Sequence, residues 1–242
     1  MNIIKASDLQ KENLRILLYG AAGAGKTEFI KQLPRPTLVL DFDKKEVPLM
    51  WEKDIDIVSY VVKNLDESSQ IFIEFRRDFK EIKKQLIEGK YKSFVFDSLT
   101  SFDILALRHF LIQSGKPADS KPGINVYGDL NSFYKTLFSE LKSLSCTVLI
   151  NAHELIVRDK PDELGEQGEI LAITPMITGD KTYQILPSMF QEVWYLEFDA
   201  TKKERKIYFR NWRKRICTTG ILKNSDGFVI NPTWEKIMKE GN

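Results

Sequence analysis

The chain has 242 residues, 43% hydrophobic and 29% charged, with a formal net charge of +2; this is enough to bury a sizeable core without disulfides or a structural metal. Two cysteines and two histidines make neither a disulfide framework nor a His-rich metal site, and so small a net charge does not by itself call for a polyanionic partner. The opening MNIIKASDLQKEN lacks the apolar stretch of a secretory signal, and no apolar run approaches the roughly 20 residues of a membrane helix, so a cytoplasmic chain with no membrane partner is expected.

Leu14–Tyr19 (LRILLY) predicts a short strand, followed at once by glycines and a helix start. Thr37–Phe42 predicts a second strand and Ile55–Val62 a third. Ile71–Glu88 carries Ile71, Phe75, Phe79, Ile82 and Leu86 at helical spacing. Ser93–Asp97 (SFVFD) predicts a strand that ends in a carboxylate, and Leu99–Ile112 a helix. Val126–Leu144 predicts another helix, with Leu130, Phe133, Tyr134, Leu137 and Leu141 along one side. Thr147–Ala152 (TVLINA) predicts the next strand, opened by the apolar Cys146. Short apolar runs alternating with helices predict a parallel sheet covered on both faces. Val193–Phe198 and Ile207–Phe209, separated by the polar DATKKERK, predict an antiparallel hairpin at its edge. Two non-helical insertions, Gly115–Asn125 and Glu154–Lys181, interrupt the pattern; long loops of this kind are functional or disordered. With no linker and no internal repeat, residues 1–242 are expected to form one domain.

Gly20-Ala21-Ala22-Gly23-Ala24-Gly25-Lys26-Thr27 fits G-x-x-x-x-G-K-[ST] at every fixed position, between a strand and a helix. Glycines let successive backbone N–H groups turn inward around an anion, and a helix N-terminus adds its dipole. Lys26 is expected to reach the β- and γ-phosphates of a nucleoside triphosphate, ATP, and Thr27 to place its hydroxyl on Mg²⁺. Gly23 and Gly25 lack the third glycine of a dinucleotide fingerprint. Ligands in open α/β sheets lie at the carboxyl ends of strands, where further polar groups stand. Asp97 is the expected magnesium carboxylate; its alternative is a helix N-cap. Asp41 and Asp43 end TLVLDFD, share a face by alternation, and either one suits a general base that polarises the attacking water. His153 ends TVLINAH, where it suits a hydrogen bond to the terminal phosphate.

These pieces, in this order, resemble the RecA family, and more closely the short RecA-like ATPases of phages, the Sak-type single-strand annealing recombinases. IIKASDL before LRILLYGAAGAGKT resembles that family's start; LVLDFD resembles the strand that carries the RecA catalytic glutamate, mapped onto Asp43; FVFDSLTSF resembles its Walker B strand. INAHE resembles the strand ending in the γ-phosphate sensor, and TPMITGDKTYQILPSMFQEVWYLEF the return from the second DNA-binding loop. The resemblance spans residues 2–220 and implies a three-layer α/β P-loop NTPase domain with a RecA-like core, a mainly parallel sheet and a C-terminal antiparallel hairpin. Asp43 is one methylene shorter than glutamate, which implies slow hydrolysis. Nothing before Leu14 is long enough to be a RecA polymerisation segment.

The resemblance also makes the two insertions DNA-binding loops. The first, taken on through GKPADSKPGINVYGD, brings Lys116, Lys121 and Tyr127, cations for phosphate and a ring for stacking. The second brings Arg158 and Lys160 among many carboxylates. Lys202–Arg215 is the sharpest basic run, with Tyr208, Phe209 and Trp212 interleaved; it is either a nucleic-acid or ATP contact or a solvated hairpin face. By the resemblance, Arg210 and Arg213 reach the ATP of a neighbouring subunit. The expectation is a DNA-dependent ATPase of phage recombination in the host cytoplasm. It would act on single-stranded DNA by annealing or exchange, as a homo-oligomer, with a single-strand binding protein as a further partner. The competing classes are a nucleotide-dependent loader or switch that binds a replication protein, and a small-molecule kinase.

Overall fold

Nine strands are present among the described residues, in the order β3-β2-β4-β5-β1-β7-β8-β9, with β6 paired to β5 outside this path. The computed structural model describes residues 13–160, 168–179, 186–222 and 226–240. The segment IIKASDL, residues 161–167 of the second insertion and residues 180–185 lie outside the described residues. The parallel strands are β1 Arg15–Gly20, β2 Thr37–Asp41, β3 Ile55–Ser59, β4 Ser93–Asp97, β5 Thr147–Arg158 and β7 Glu192–Asp199. Strands β8 Glu204–Tyr208 and β9 Phe228–Ile230 extend the edge in antiparallel fashion, as the DATKKERK hairpin predicts. The α/β fold with a mainly parallel sheet and antiparallel C-terminal strands is therefore as expected.

Alternation assigns each face its partner layer. Leu38, Leu40, Phe94, Phe96, Val148 and Ile150 face one way; Val39, Val95, Leu149, Ile16 and Leu18 face the other. Against the first face pack α2 Ser68–Ile87, α3 Leu99–Gln113 and α4 Ile124–Lys142. Helix α2 buries Phe72, Phe75, Phe79, Ile82 and Leu86, one stripe at helical spacing. Phe75 and Phe102 meet edge-on at 4.8 Å, and Phe102 lies 5.5 Å from Phe96 on the sheet; each such buried ring contributes about 1.5–3 kcal/mol. The second face is covered by α1 Lys26–Phe29 and by Trp234–Glu240, a short helix from which Ile237 is buried.

Two expectations are corrected. Strand β5 does not end at Ala152 but runs on to Arg158, and β6 Ile170–Pro175 pairs back along it. The described part of the second insertion is thus a β-ribbon, held because Ile173 is buried and its carbonyl accepts the Tyr19 hydroxyl at 3.1 Å. Tyr127 lies in the first turn of α4, inside the helix expected from Val126. Strand β3 stops at Ser59, short of Val62.

Candidate functional site

Register brings the site together. Asp41, Asp97 and Asn151 are neighbours across β2, β4 and β5, and Gly20 pairs with His153. The shared parallel register puts the three side chains in one row on the α1 face. The P-loop leaves β1 beside that row. Gly25 has φ +102° and caps α1, a backbone that only glycine adopts freely. A Cβ there would also stand 2.5 Å from Arg205 Nε.

Lys26 is buried, and its Nζ donates to the carbonyls of Gly20 and Ala21, both at 2.8 Å. Burial lowers its pKa to about 8, against the opposing pull of Asp97. Thr27 Oγ1 donates to Asp97 Oδ2 at 2.7 Å, and Asn151 Nδ2 donates to Asp97 Oδ1 at 3.0 Å. Burial raises the Asp97 carboxyl, with those two hydrogen bonds acting the other way. Asp97 is not the helix cap: the Ser98 side chain takes that role, accepting from Ser101 N.

The structure gives the two aspartates of TLVLDFD different partners. Asp41 Oδ1 accepts the backbone N–H of Asp43 at 3.1 Å and of Lys45 at 3.5 Å, and Oδ2 accepts Ser59 Oγ. Asp41 therefore braces the turn. Asp43 points into the site, accepting Ser98 Oγ at 3.1 and 3.2 Å and Lys45 Nζ at 3.1 Å, with His153 Nε2 3.6 Å away. Burial alone would raise the Asp43 carboxyl; hydrogen bonds to His153 and Ser101 and the Lys45 charge outweigh it and hold it well below the usual carboxylate range. The backbone N–H of His153 donates to Thr100 Oγ1 at 3.0 Å. Its carbonyl accepts Met176 N at 2.7 Å, which ties the ribbon's return to the strand end.

A cavity of about 540 Å³ holds Gly23, Lys26, Asp43, Asp97, His153 and Arg205 on its walls, with Val47 and Pro48 as an apolar side. Three contributors, Asn151, Ser98 and Lys45, carry no site role by sequence, and Arg205 carries one only within the basic run. Asn151 gives a signal as a polar residue inside an apolar strand, and Arg205 belongs to the basic run. Arg205 Nε donates to Ala24 O at 3.3 Å, so β8 reaches the P-loop of its own chain. Lys116, Lys121, Tyr127, Arg158, Lys160, Arg210 and Arg213 are not on the cavity wall. Arg158 ends β5, and its guanidinium donates to Gly168 O at 3.3 Å. Arg213 lies over the Trp212 ring at 5.3 Å, and Arg210 packs against Gly227.

Thr27 and Asp97 fit magnesium, since both offer hard oxygen donors on one spot. Among the described residues no three His, Cys, Asp or Glu side chains gather into a metal cage. Among the described residues, no helix is long and apolar enough to cross a membrane.

A family model described as AAA domain matches residues 12–220. No curated protein matches the chain. Among solved structures, the chain is similar to a prototypical ATPase from the type III secretion system of pathogenic bacteria, at 14% identity and a TM-score of 0.49, over 78% of this chain and 54% of that one. It thus spans about half the length of that ATPase. It is also similar to a KaiC-like protein from the hyperthermophilic archaeon Pyrococcus horikoshii OT3, at 18% identity and a TM-score of 0.45, over 91% of each chain. With the family model covering most of its length and a complete P-loop in place, the chain belongs to the AAA domain family of P-loop ATPases.

Proposed function

We propose that this protein binds ATP with magnesium, hydrolyses it to ADP and phosphate, and couples the reaction to single-stranded DNA in annealing or strand exchange, as the phage Sak-type recombinases it resembles do. The observation that carries the nucleotide part is the convergence of Lys26, Thr27, Asp43, Asp97 and His153 on one cavity. Lys26 and the P-loop N–H groups hold the phosphates. Thr27 and Asp97 hold magnesium, which when bound draws charge from the phosphate oxygens. Asp43 orients the attacking water and takes its proton as the water oxygen bonds to the γ-phosphorus and ADP departs. His153 donates a hydrogen bond to the terminal phosphate.

The DNA part rests on the resemblance and on how the ribbon is tied to the site. Strand β5 carries His153 and continues straight into the ribbon, with Arg158 at its far end and Lys160 just beyond. Met176 then returns to bond the His153 carbonyl. A strand of DNA bound along the ribbon would thereby bear on the phosphate sensor. Lys116, Lys121 and Tyr127 add cations and a ring between α3 and the first turn of α4. Arg210 and Arg213 act on the ATP of a neighbouring copy in a homo-oligomer; their turn is bonded to the ribbon through Ile173 N and Lys214 O at 2.8 Å. A single-strand binding protein is a further partner, and the host cytoplasm the place of action. Fluorescence anisotropy of a labelled oligonucleotide tests this reading. Binding that strengthens with a non-hydrolysable ATP analogue and weakens steeply with salt supports it; no binding at low salt, with or without nucleotide, rejects the DNA part.

A further inference from the structure

Among the described residues, Lys45 is the lysine that touches both Asp43 and His153. It follows β2 in the run DFDKK, where Lys44 takes the left-handed φ of +56°. Asp41 fixes the turn by accepting the N–H groups of residues 43 and 45, and the side chains of Asp43 and Lys45 both line the same cavity. Lys45 Nζ lies 3.1 Å from Asp43 Oδ2 and 3.5 Å from His153 Nε2. The two partners differ in freedom: the Asp43 side chain is 5% exposed and that of Lys45 55%. The Lys45 ammonium, open to solvent on one side, can swing toward the cavity, whereas the Asp43 carboxylate stays fixed in its wall.

Lys26 lines the same cavity. Its ammonium feels the positive charge of Lys45, which adds to the effect of burial in lowering its pKa. Two like charges directed at one space are reconciled by a polyanion between them, and charge-assisted hydrogen bonds to phosphate are stronger than an exposed ion pair. Lys26 belongs to the P-loop side of the cavity, whereas Lys45 belongs to the wall made by the end of β2 and by His153 of β5, beside the groups assigned to water and the terminal phosphate.

We propose that Lys45 is a ligand of the terminal phosphate, and that a bound triphosphate draws it from Asp43, leaving that carboxylate to the attacking water. This rests on the ATPase reading above. The lysine then links recognition of the third phosphate to release of the base: a diphosphate, held by the P-loop alone, leaves the Lys45–Asp43 pair in place.

The experiment compares wild type, Lys45→Ala and Lys45→Arg for affinity to ADP and to a β,γ-imido ATP analogue, each with magnesium, by titration calorimetry. The expected result is that Lys45→Ala weakens the triphosphate analogue by about 10- to 100-fold and changes ADP affinity by less than about twofold, with Lys45→Arg restoring most of the difference. Retained ADP binding reports that the variant is folded. Equal weakening of both nucleotides, or of neither, overturns the proposal. If wild type binds neither nucleotide, the ATPase reading fails instead, before Lys45 is at issue.

Discussion

Thr27 Oγ1 donates to Asp97 Oδ2 at 2.7 Å although the two are 70 residues apart. The P-loop threonine is brought there because β1 and β4 both flank β5, and Asn151 of β5 closes the other side of the same carboxylate. Three elements thus present one oxygen-lined spot beside Lys26.

Asp97 and Asp43 should separate in their effects. Asp97→Asn is expected to abolish hydrolysis, because the magnesium position loses its carboxylate. Asp43→Asn is expected to slow single-turnover hydrolysis by about 10²-fold or more while leaving nucleotide affinity near wild type. Wild-type turnover in Asp43→Asn would remove Asp43 from the chemistry.

Lys26 should take up a proton when nucleotide binds. Burial lowers its pKa to about 8, so above that pH much of it is neutral; the triphosphate favours the ammonium and raises the pKa again. The sign is therefore net proton uptake, largest between about pH 8 and the free-lysine value of about 10.5 and small at about pH 7. Calorimetry at about pH 8.5, in buffers of different ionisation enthalpy, measures it. Lys26→Ala should lose both the uptake and Mg²⁺-dependent binding.

Arg205 should support nucleotide binding in its own chain. Its Nε bonds Ala24 O, and the guanidinium lies 5.4 Å from the Phe198 ring, at the cavity wall. Arg205→Ala is expected to weaken ATP by about 3- to 10-fold without altering the urea midpoint appreciably. Unchanged affinity would reduce the contact to a brace of the P-loop.

Arg210 and Arg213 should act across an interface. A chain with Arg210→Ala and Arg213→Ala, mixed with a Lys26→Ala chain, is expected to recover part of the ATP turnover that each lacks alone, since hybrid interfaces contain one intact site. An arginine supplied in trans raises hydrolysis by a factor on the order of 10³ or more. No recovery in verified mixed oligomers would reject the trans role.

The phosphate site is legible in the sequence because its residues are consecutive: a strand, two glycines at fixed spacing, lysine and threonine. Asp97 and His153 are legible because apolar runs ending in a polar residue mark the carboxyl edge of a parallel sheet. What separates Asp43 from Asp41 is not, since it depends on the φ of Lys44 and on which carboxylate accepts the turn's N–H groups. Arg205 meets Ala24 across 181 residues of sequence, a pairing set only once β7 and β8 have joined the sheet edge. The ribbon is hidden by the acidic run beside it, although Leu155-Ile156-Val157 and Ile170-Leu171-Ala172 are apolar stretches able to pair. Lys45 offers no pattern of its own; its place follows from the turn that Asp41 braces.

The most direct test of DNA-coupled hydrolysis is steady-state ATP turnover at low salt, with and without single-stranded DNA, in wild type and Lys26→Ala. Turnover that rises on adding DNA, falls back as salt is raised and is absent from Lys26→Ala is the expected result. Turnover by a stable monomer that single-stranded DNA leaves unchanged would contradict it.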